Sequence, residues 1–378
     1  MTIAIDDIKY YKSAVASDGA TNGGRSSYTE ITSGARNSFF SRVTQEQRTS
    51  GITRYRKEFT SNANASNETA YEPLDCIRFP STSGDRFYIG EGTQVDTQAD
   101  ITATPPTWVG CGQLNTALSG GETSVDLLMS ANDYVFIADG YLYLSNTYRT
   151  GQTVAASVVP GNGVTYSAGA WNSSAFTGDI TYPKGLYLGN NTVMTHESGV
   201  STTEHLQIAH TSPYSYSGNV VTVQLQEQVA GTYAISNTYG AQCLSAAHIK
   251  TSYDSFSLTS ASGTYDEATY PPLLFNKGTV EDTITITMTS STNFTCSGTY
   301  EGSMGTGSIS ADFSPTNASG GASFFTLRSA GWGGTLASGD ILTFKTHPSK
   351  LPRWFKEVVP AATAAEDENV FVYSVYTG

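Results

Sequence analysis

Residues Thr283 to Thr289 alternate threonine with Ile284, Ile286 and Met288 without a break. Side chains on an extended strand point to opposite faces in turn, so this run buries one row and exposes the other. In a helix the same residues would scatter around the circumference. Weaker versions of the pattern recur at Arg54 to Phe59, Cys76 to Phe79, Arg86 to Ile89, Ser124 to Met129 and Tyr134 to Ala138. They continue at Tyr141 to Ser145, Leu186 to Leu188, Val220 to Val229, Phe324 to Arg328 and Ile341 to Lys345. Tyrosine (23, against 16 Phe) and threonine suit half-buried pleated surfaces, and 37 glycines supply turns. The expected fold is all-β: multidomain antiparallel β-sandwiches with few short helices.

At 378 residues the chain exceeds one comfortable core. Pro105-Pro106 and the pair Pro348 and Pro352 mark boundaries, because proline cannot donate to a ladder. Arg353 to Val359 and Val370 to Tyr376 read as a closing hairpin, which needs other strands to stand in water. The expected division is therefore a basic docking segment (1–57) with a short helix, and a sandwich of 58–106 completed by 348–378. An acidic β-rich insertion (107–250) and a second β-rich insertion (251–347) complete it. Thr44 and Gln47 form a capping box that predicts a helix from about Gln45 to Thr49, ended by Gly51. Asp139-Gly140 predicts a hairpin turn between two apolar runs.

Charge is distributed unevenly. Nine of the 20 Lys and Arg residues lie in the first 57 positions with five of the 33 acids, a net of +4, leaving −17 for the rest. Residues 87–327 alone carry −14. A basic segment on an acidic body can meet the same body on a neighbouring subunit. Arg25, Arg36, Arg42, Arg48, Arg54, Arg56 and Lys57 are accordingly the candidate subunit interface. The plainer alternative is a set of separate solvated cations, whose exposed ion pairs contribute about 0–1 kcal/mol each. The total of −13 opposes general nucleic-acid binding. No apolar run approaches the roughly 20 residues that cross a bilayer, so no membrane partner is expected. The opening residues include Asp6 and Asp7 and lack a secretory pattern, so synthesis and folding in the cytoplasm are expected.

Catalytic motifs do not compete with this reading. The chain holds no GxxxxGK[ST], GxSxG, HExxH or GxGxxG motif. His205 and His210 are five apart, which on a strand puts them on opposite faces, and His196, His248 and His347 are scattered. Cys76, Cys111, Cys243 and Cys296 form no CxxC pair, so neither a metal nor a cofactor is expected. Half-buried free thiols are the plain reading; disulfides formed outside the cell are the alternative, with the pairing open. Asp133 with Asp139, or Asp266 with Glu267, could serve glycoside hydrolysis, but aspartates at turns commonly cap their own backbone. Tyr214 with Tyr216, and Tyr141 with Tyr143, could stack on sugars or pack across strands.

Two sets of motifs carry a resemblance. The first is Asn22-Gly-Gly-Arg25, Ile31-Thr-Ser-Gly-Ala-Arg-Asn37, Glu46-Gln-Arg48 and Thr53-Arg-Tyr-Arg-Lys57. The second is Gly331-Trp-Gly-Gly334, Ser338-Gly-Asp340, Thr346-His-Pro348 and Arg353-Trp-Phe-Lys-Glu-Val-Val-Pro-Ala361. Together they resemble a family of virion structural proteins of tailed bacteriophages and prophages, leaving residues 110–320 uncovered. The resemblance implies a non-enzymatic neck (collar) or tail subunit, present in many symmetric copies in a virion assembled in the host cytoplasm. Its partners would be further copies in a ring or sleeve and other neck or tail proteins. A fibre or decoration protein that binds host-surface carbohydrate is the alternative, although no heptad or strong repeat is present. A glycan-cleaving sandwich is the third reading.

Overall fold

The computed structural model describes residues 3–81, 83–145, 204–235, 238–364 and 369–376, and between them the backbone strands Tyr166–Ser167, Ala170–Trp171 and Thr192–Gly199. The strand expected at Leu186 to Leu188 lies outside the described residues, as does the His196 side chain. The protein is all-β, with several antiparallel sheets and, among the described residues, two short α-helices, Gln45–Ser50 and Gln98–Ala103. The first helix begins as its capping box dictates. The Thr44 hydroxyl accepts from the Gln47 amide at 3.2 Å, and the Gln47 side chain accepts from the Thr44 amide at 2.9 Å. Gly51 ends it at φ 77°.

The chain divides into two compact units. The smaller comprises Met1–Tyr10, Phe59–Tyr71 and His248–Leu351. Its five-stranded antiparallel sheet runs Ser252–Thr259, Ile341–His347, Asp282–Met288, Asn293–Gly298, Gly302–Ser308. The alternating run occupies the central strand, with Ile284, Ile286 and Met288 buried beside Phe294, Leu342 and Phe344 while its threonines face outward. This unit extends beyond the expected 251–347, and asparagine side chains tie in its Phe59–Tyr71 piece. Asn62 and Asn276 both donate to the Glu68 carbonyl, at 2.7 and 3.0 Å, and Asn62 also donates to Ile249 O at 3.1 Å.

The larger unit comprises Tyr11–Glu58, Glu72–Ala247 and Pro352–Gly378. Its ten-stranded sheet runs Thr192–Gly199, Asn369–Tyr376, Leu74–Phe79, Tyr239–Ser245, Cys111–Leu114, Ser124–Leu128, Val220–Gln224, Tyr214–Ser217. Tyr141–Ser145 pairs with Tyr239–Ser245 and carries Glu204–Gln207 on its other side. Residues 107–250 are thus no separate insertion, since Leu244 opposite Asp75 continues the Leu74–Phe79 sheet into them. One long strand does this by pairing with Leu74–Phe79 at one end and Cys111–Leu114 at the other.

The last two strands do not form a hairpin with each other. Arg353 to Val358 pairs with Arg86–Glu91, whereas Asn369–Tyr376 pairs with Leu74–Phe79 in the ten-stranded sheet. Aromatic rings fill the space between these layers. Phe87 stacks on Phe371 at 4.2 Å, Phe355 meets Tyr373 at 5.1 Å, and Phe39 meets Phe355 at 5.3 Å. Strands this apolar are better buried within two sheets than left as a hairpin with an open edge. Tyr134 to Ala138 also departs from expectation. Asp139 takes a turn conformation at φ 59°, but no strand precedes it. Tyr134 and Phe136 are both buried in one core, and the Val135 amide donates to Trp108 O at 3.1 Å.

Candidate functional site

The basic segment is the candidate to be tested first. Arg54 and Arg56, two apart on strand Ile52–Asn62, share a face, and Lys57 points the other way. Arg54 Nε donates to Glu357 Oε2 at 2.8 Å, and a second bond to the same oxygen comes from Nη2; both side chains are fully buried. Its Nη1 donates to the Ser41 carbonyl at 2.7 Å and hydroxyl at 3.0 Å. Arg56 donates to Phe39 O at 3.2 Å, Ser17 O at 2.7 Å and Asp18 Oδ1 at 2.6 Å. The two guanidinium groups lie 5.6 and 5.5 Å from the Phe40 ring centroid, within cation–π range. The pair therefore straps the Phe39-Phe40 loop onto the strand.

Lys57 does comparable work on the opposite face. Its Nζ donates to Gly24 O at 2.7 Å and Asp96 O at 3.0 Å, pairs with Asp96 Oδ1 at 2.5 Å, and lies 5.7 Å from the Trp354 ring. Burial pulls the lysine pKa down to about 8, partly offset by Asp96. Trp354 Nε1 donates to Asp96 Oδ2 at 2.9 Å. Gly23 closes this arrangement: a Cβ there would stand 2.7 Å from the Trp354 ring, at a φ of +106°. Asn22 donates to Tyr55 O at 2.8 Å and Gln98 Oε1 at 3.0 Å. The N-terminal motifs and the last C-terminal one, Arg353 to Ala361, some 300 residues apart, thus close on each other within the larger unit.

This corrects the interface expectation for four residues. Arg48, Arg54, Arg56 and Lys57 are 1–5% exposed, and the last three direct their charge at acids of this chain. Counting charge by segment hid this, because Glu357 and Asp96 lie outside the segment they neutralise. Arg25 and Arg36 are partly buried and Arg42 is exposed. Sequence reasoning also missed Asp75, which takes a bidentate bond from Arg353 at 2.8 and 2.7 Å and a bond from the Tyr373 hydroxyl at 3.2 Å. An arginine inside an aromatic strand was the available signal, since burial without a carboxylate costs several kcal/mol.

The candidate carboxylates are held by turns and neighbours. Asp133 accepts from the Tyr88 hydroxyl at 2.8 Å; Asp139 accepts from Gln226 at 2.8 Å and pairs with His210 at 2.6 Å. Asp266 accepts from the Thr269 amide at 3.1 Å. A glycosidase acid needs a raised carboxyl pKa. His210 holds Asp139, and Thr269 holds Asp266, below the usual carboxylate value instead. Tyr214 and Tyr216 are half-buried, with Tyr216 donating to Tyr134 O at 3.0 Å and Tyr214 meeting Phe136 at 5.6 Å. They pack on the core as cross-strand tyrosines do. Tyr143 is buried and Tyr141 is 37% exposed, so that pair offers no shared platform. Among the described residues no cluster of three or more His, Cys, Asp or Glu could hold a metal ion.

His205 lies 4.8 Å from the Tyr143 ring and 5.1 Å from Tyr376, and burial lowers its pKa to about 4. Below about pH 6.5 the unfolded chain therefore takes a proton that the folded chain refuses. Stability should fall as pH drops from 6.5 to 4 on this account. Urea midpoints across that range will show a shallower slope for His205→Asn than for the native chain; equal slopes would remove His205 from the account.

No protein family, curated protein or solved structure matches the chain.

Proposed function

We propose that the chain is a non-enzymatic structural subunit of a tailed-phage virion, in the neck (collar) or adjoining tail, assembled in multiple symmetric copies. The observation that carries this reading is the use made of the resembling motifs. Asn22, Gly23, Arg54, Arg56, Lys57, Trp354 and Glu357 hold the two ends of the chain in one sandwich. They present no nucleophile and no anion cradle to solvent. A motif set that shapes the body without serving chemistry supports a building-block role. Asp139 and Asp266, both held below the usual carboxylate value, weigh against the glycan-cleaving reading.

With four cations turned inward, docking falls to the remaining surface. Exposed Arg42, with Arg25 and Arg36 beside it in sequence, would face the acidic 87–327 region of a neighbouring copy. Contacts in which one patch meets a different one build rings and sleeves. Arg42→Glu should weaken self-association in low salt. Sedimentation velocity at low and high ionic strength reads this directly. Salt-independent association, unchanged by Arg42→Glu, would turn the proposal away from electrostatic docking.

A further inference from the structure

Strands Leu74–Phe79 and Tyr239–Ser245 pair antiparallel through Leu244 opposite Asp75 and Ser245 opposite Leu74. The Ala246 amide donates to the Pro73 carbonyl at 3.1 Å. Hydrogen-bonded and non-hydrogen-bonded pairs alternate along such a ladder. Ala246–Pro73 and Leu244–Asp75 are then bonded pairs, and Ser245–Leu74 is a non-bonded one. One further step sets Cys243 opposite Cys76, again in a non-bonded position. There the Cα atoms stand about 4.5 Å apart, with side chains turned to the same face. A disulfide spans Cα separations of roughly 4.4–6.8 Å. Cys76 is near enough to raise the Cys243 thiol, and both are free and buried. Neither of the other two has a cysteine opposite it in the ladder: Cys111 lies opposite Ala241, although Cys76 is near enough to help raise its thiol, and Cys296 lies opposite Ile286 and Gly305.

We propose that Cys76 and Cys243 are an oxidation site, joining as a cross-strand disulfide on exposure to a low-molecular-weight disulfide such as oxidised glutathione, while Cys111 and Cys296 remain thiols. One cysteine, as thiolate, attacks glutathione disulfide, forming a mixed disulfide and releasing one reduced glutathione. The other loses its proton and attacks the protein sulfur of that mixed disulfide, releasing the second. Two protein thiols are oxidised and one external disulfide is reduced to two thiols, so electrons and protons balance. The contact with Cys76 and burial both push the Cys243 thiol up, so attack is slow in the closed sheet and proceeds when the strands open. The inference is independent of the virion reading, because it rests on strand register alone.

The test uses the full chain, purified reduced and incubated with glutathione disulfide at its urea unfolding midpoint, where opening is frequent, then returned to buffer. Remaining thiols are blocked with iodoacetamide and the peptides mapped by mass spectrometry. The expected result is a Cys76–Cys243 linked peptide pair, with Cys111 and Cys296 alkylated. The thermal midpoint should rise by about 5–10 °C over the reduced chain, because the link closes a long loop. Dithiothreitol should reverse the rise, and Cys243→Ser should abolish both link and rise. Alkylation of all four cysteines, or a link made through Cys111 or Cys296, would overturn the proposal.

Discussion

Replacing Glu357 with alanine will lower the stability of the larger unit by about 3–5 kcal/mol. Arg54 cannot follow its lost partner to solvent, because its side chain is fully buried and its Nη1 is committed to Ser41. The uncompensated charge is the cost, more than the lost attraction. Urea unfolding followed by tryptophan fluorescence measures it. A second variant separates the causes: Arg54→Met with Glu357→Leu removes both charges and should recover most of the loss. Limited proteolysis adds a local readout, since Glu357→Ala should loosen the loop around Ser41 and speed cleavage there. A loss below about 1 kcal/mol for Glu357→Ala would mean that Arg54 finds other partners.

The second large effect is expected where Gly23 meets Trp354. Trp354→Ala removes a fully buried ring and should cost about 3–5 kcal/mol. Gly23→Ala should also destabilise, by about 2–4 kcal/mol, through two additive causes. Its Cβ would press on the indole at 2.7 Å and on Asp96 O at 2.8 Å, and its φ of +106° is strained for any L side chain. The double variant distinguishes them. With the indole gone, Gly23→Ala should lose the ring clash and keep only the backbone penalty and the Asp96 contact. A double-mutant cycle should therefore show coupling of at least about 1 kcal/mol. Strict additivity would mean that the ring and the glycine do not meet as described.

Legibility followed the distance over which each feature is determined. The alternation at Thr283 to Thr289 and the Thr44–Gln47 capping box depend on neighbours within a few residues, and both elements form where the sequence places them. The fate of the arginines depends on partners far along the chain. Arg54 and Glu357 are 303 residues apart, and Arg353 and Asp75 are 278 apart. Three cations in four positions, Arg54, Arg56 and Lys57, read as a docking surface, yet all three are buried. The closing pair of strands misled for a related reason. Their apolar character shows that they are buried, but not that each enters a different sheet. Tyr134 to Ala138 carried strand-like alternation, and two large rings seated in one core set its backbone instead. The Cys76–Cys243 juxtaposition was equally hidden, because it follows from register and not from spacing along the chain.

The central claim is that this chain is a building block of a phage particle. Quantitative mass spectrometry of gradient-purified, washed virions from a host producing this chain tests it most directly. The account predicts a fixed copy number well above one per particle, retained through washing in high salt and matched to other neck or tail proteins. Recovery of the chain only in the lysate supernatant, with washed particles free of it, would contradict the account.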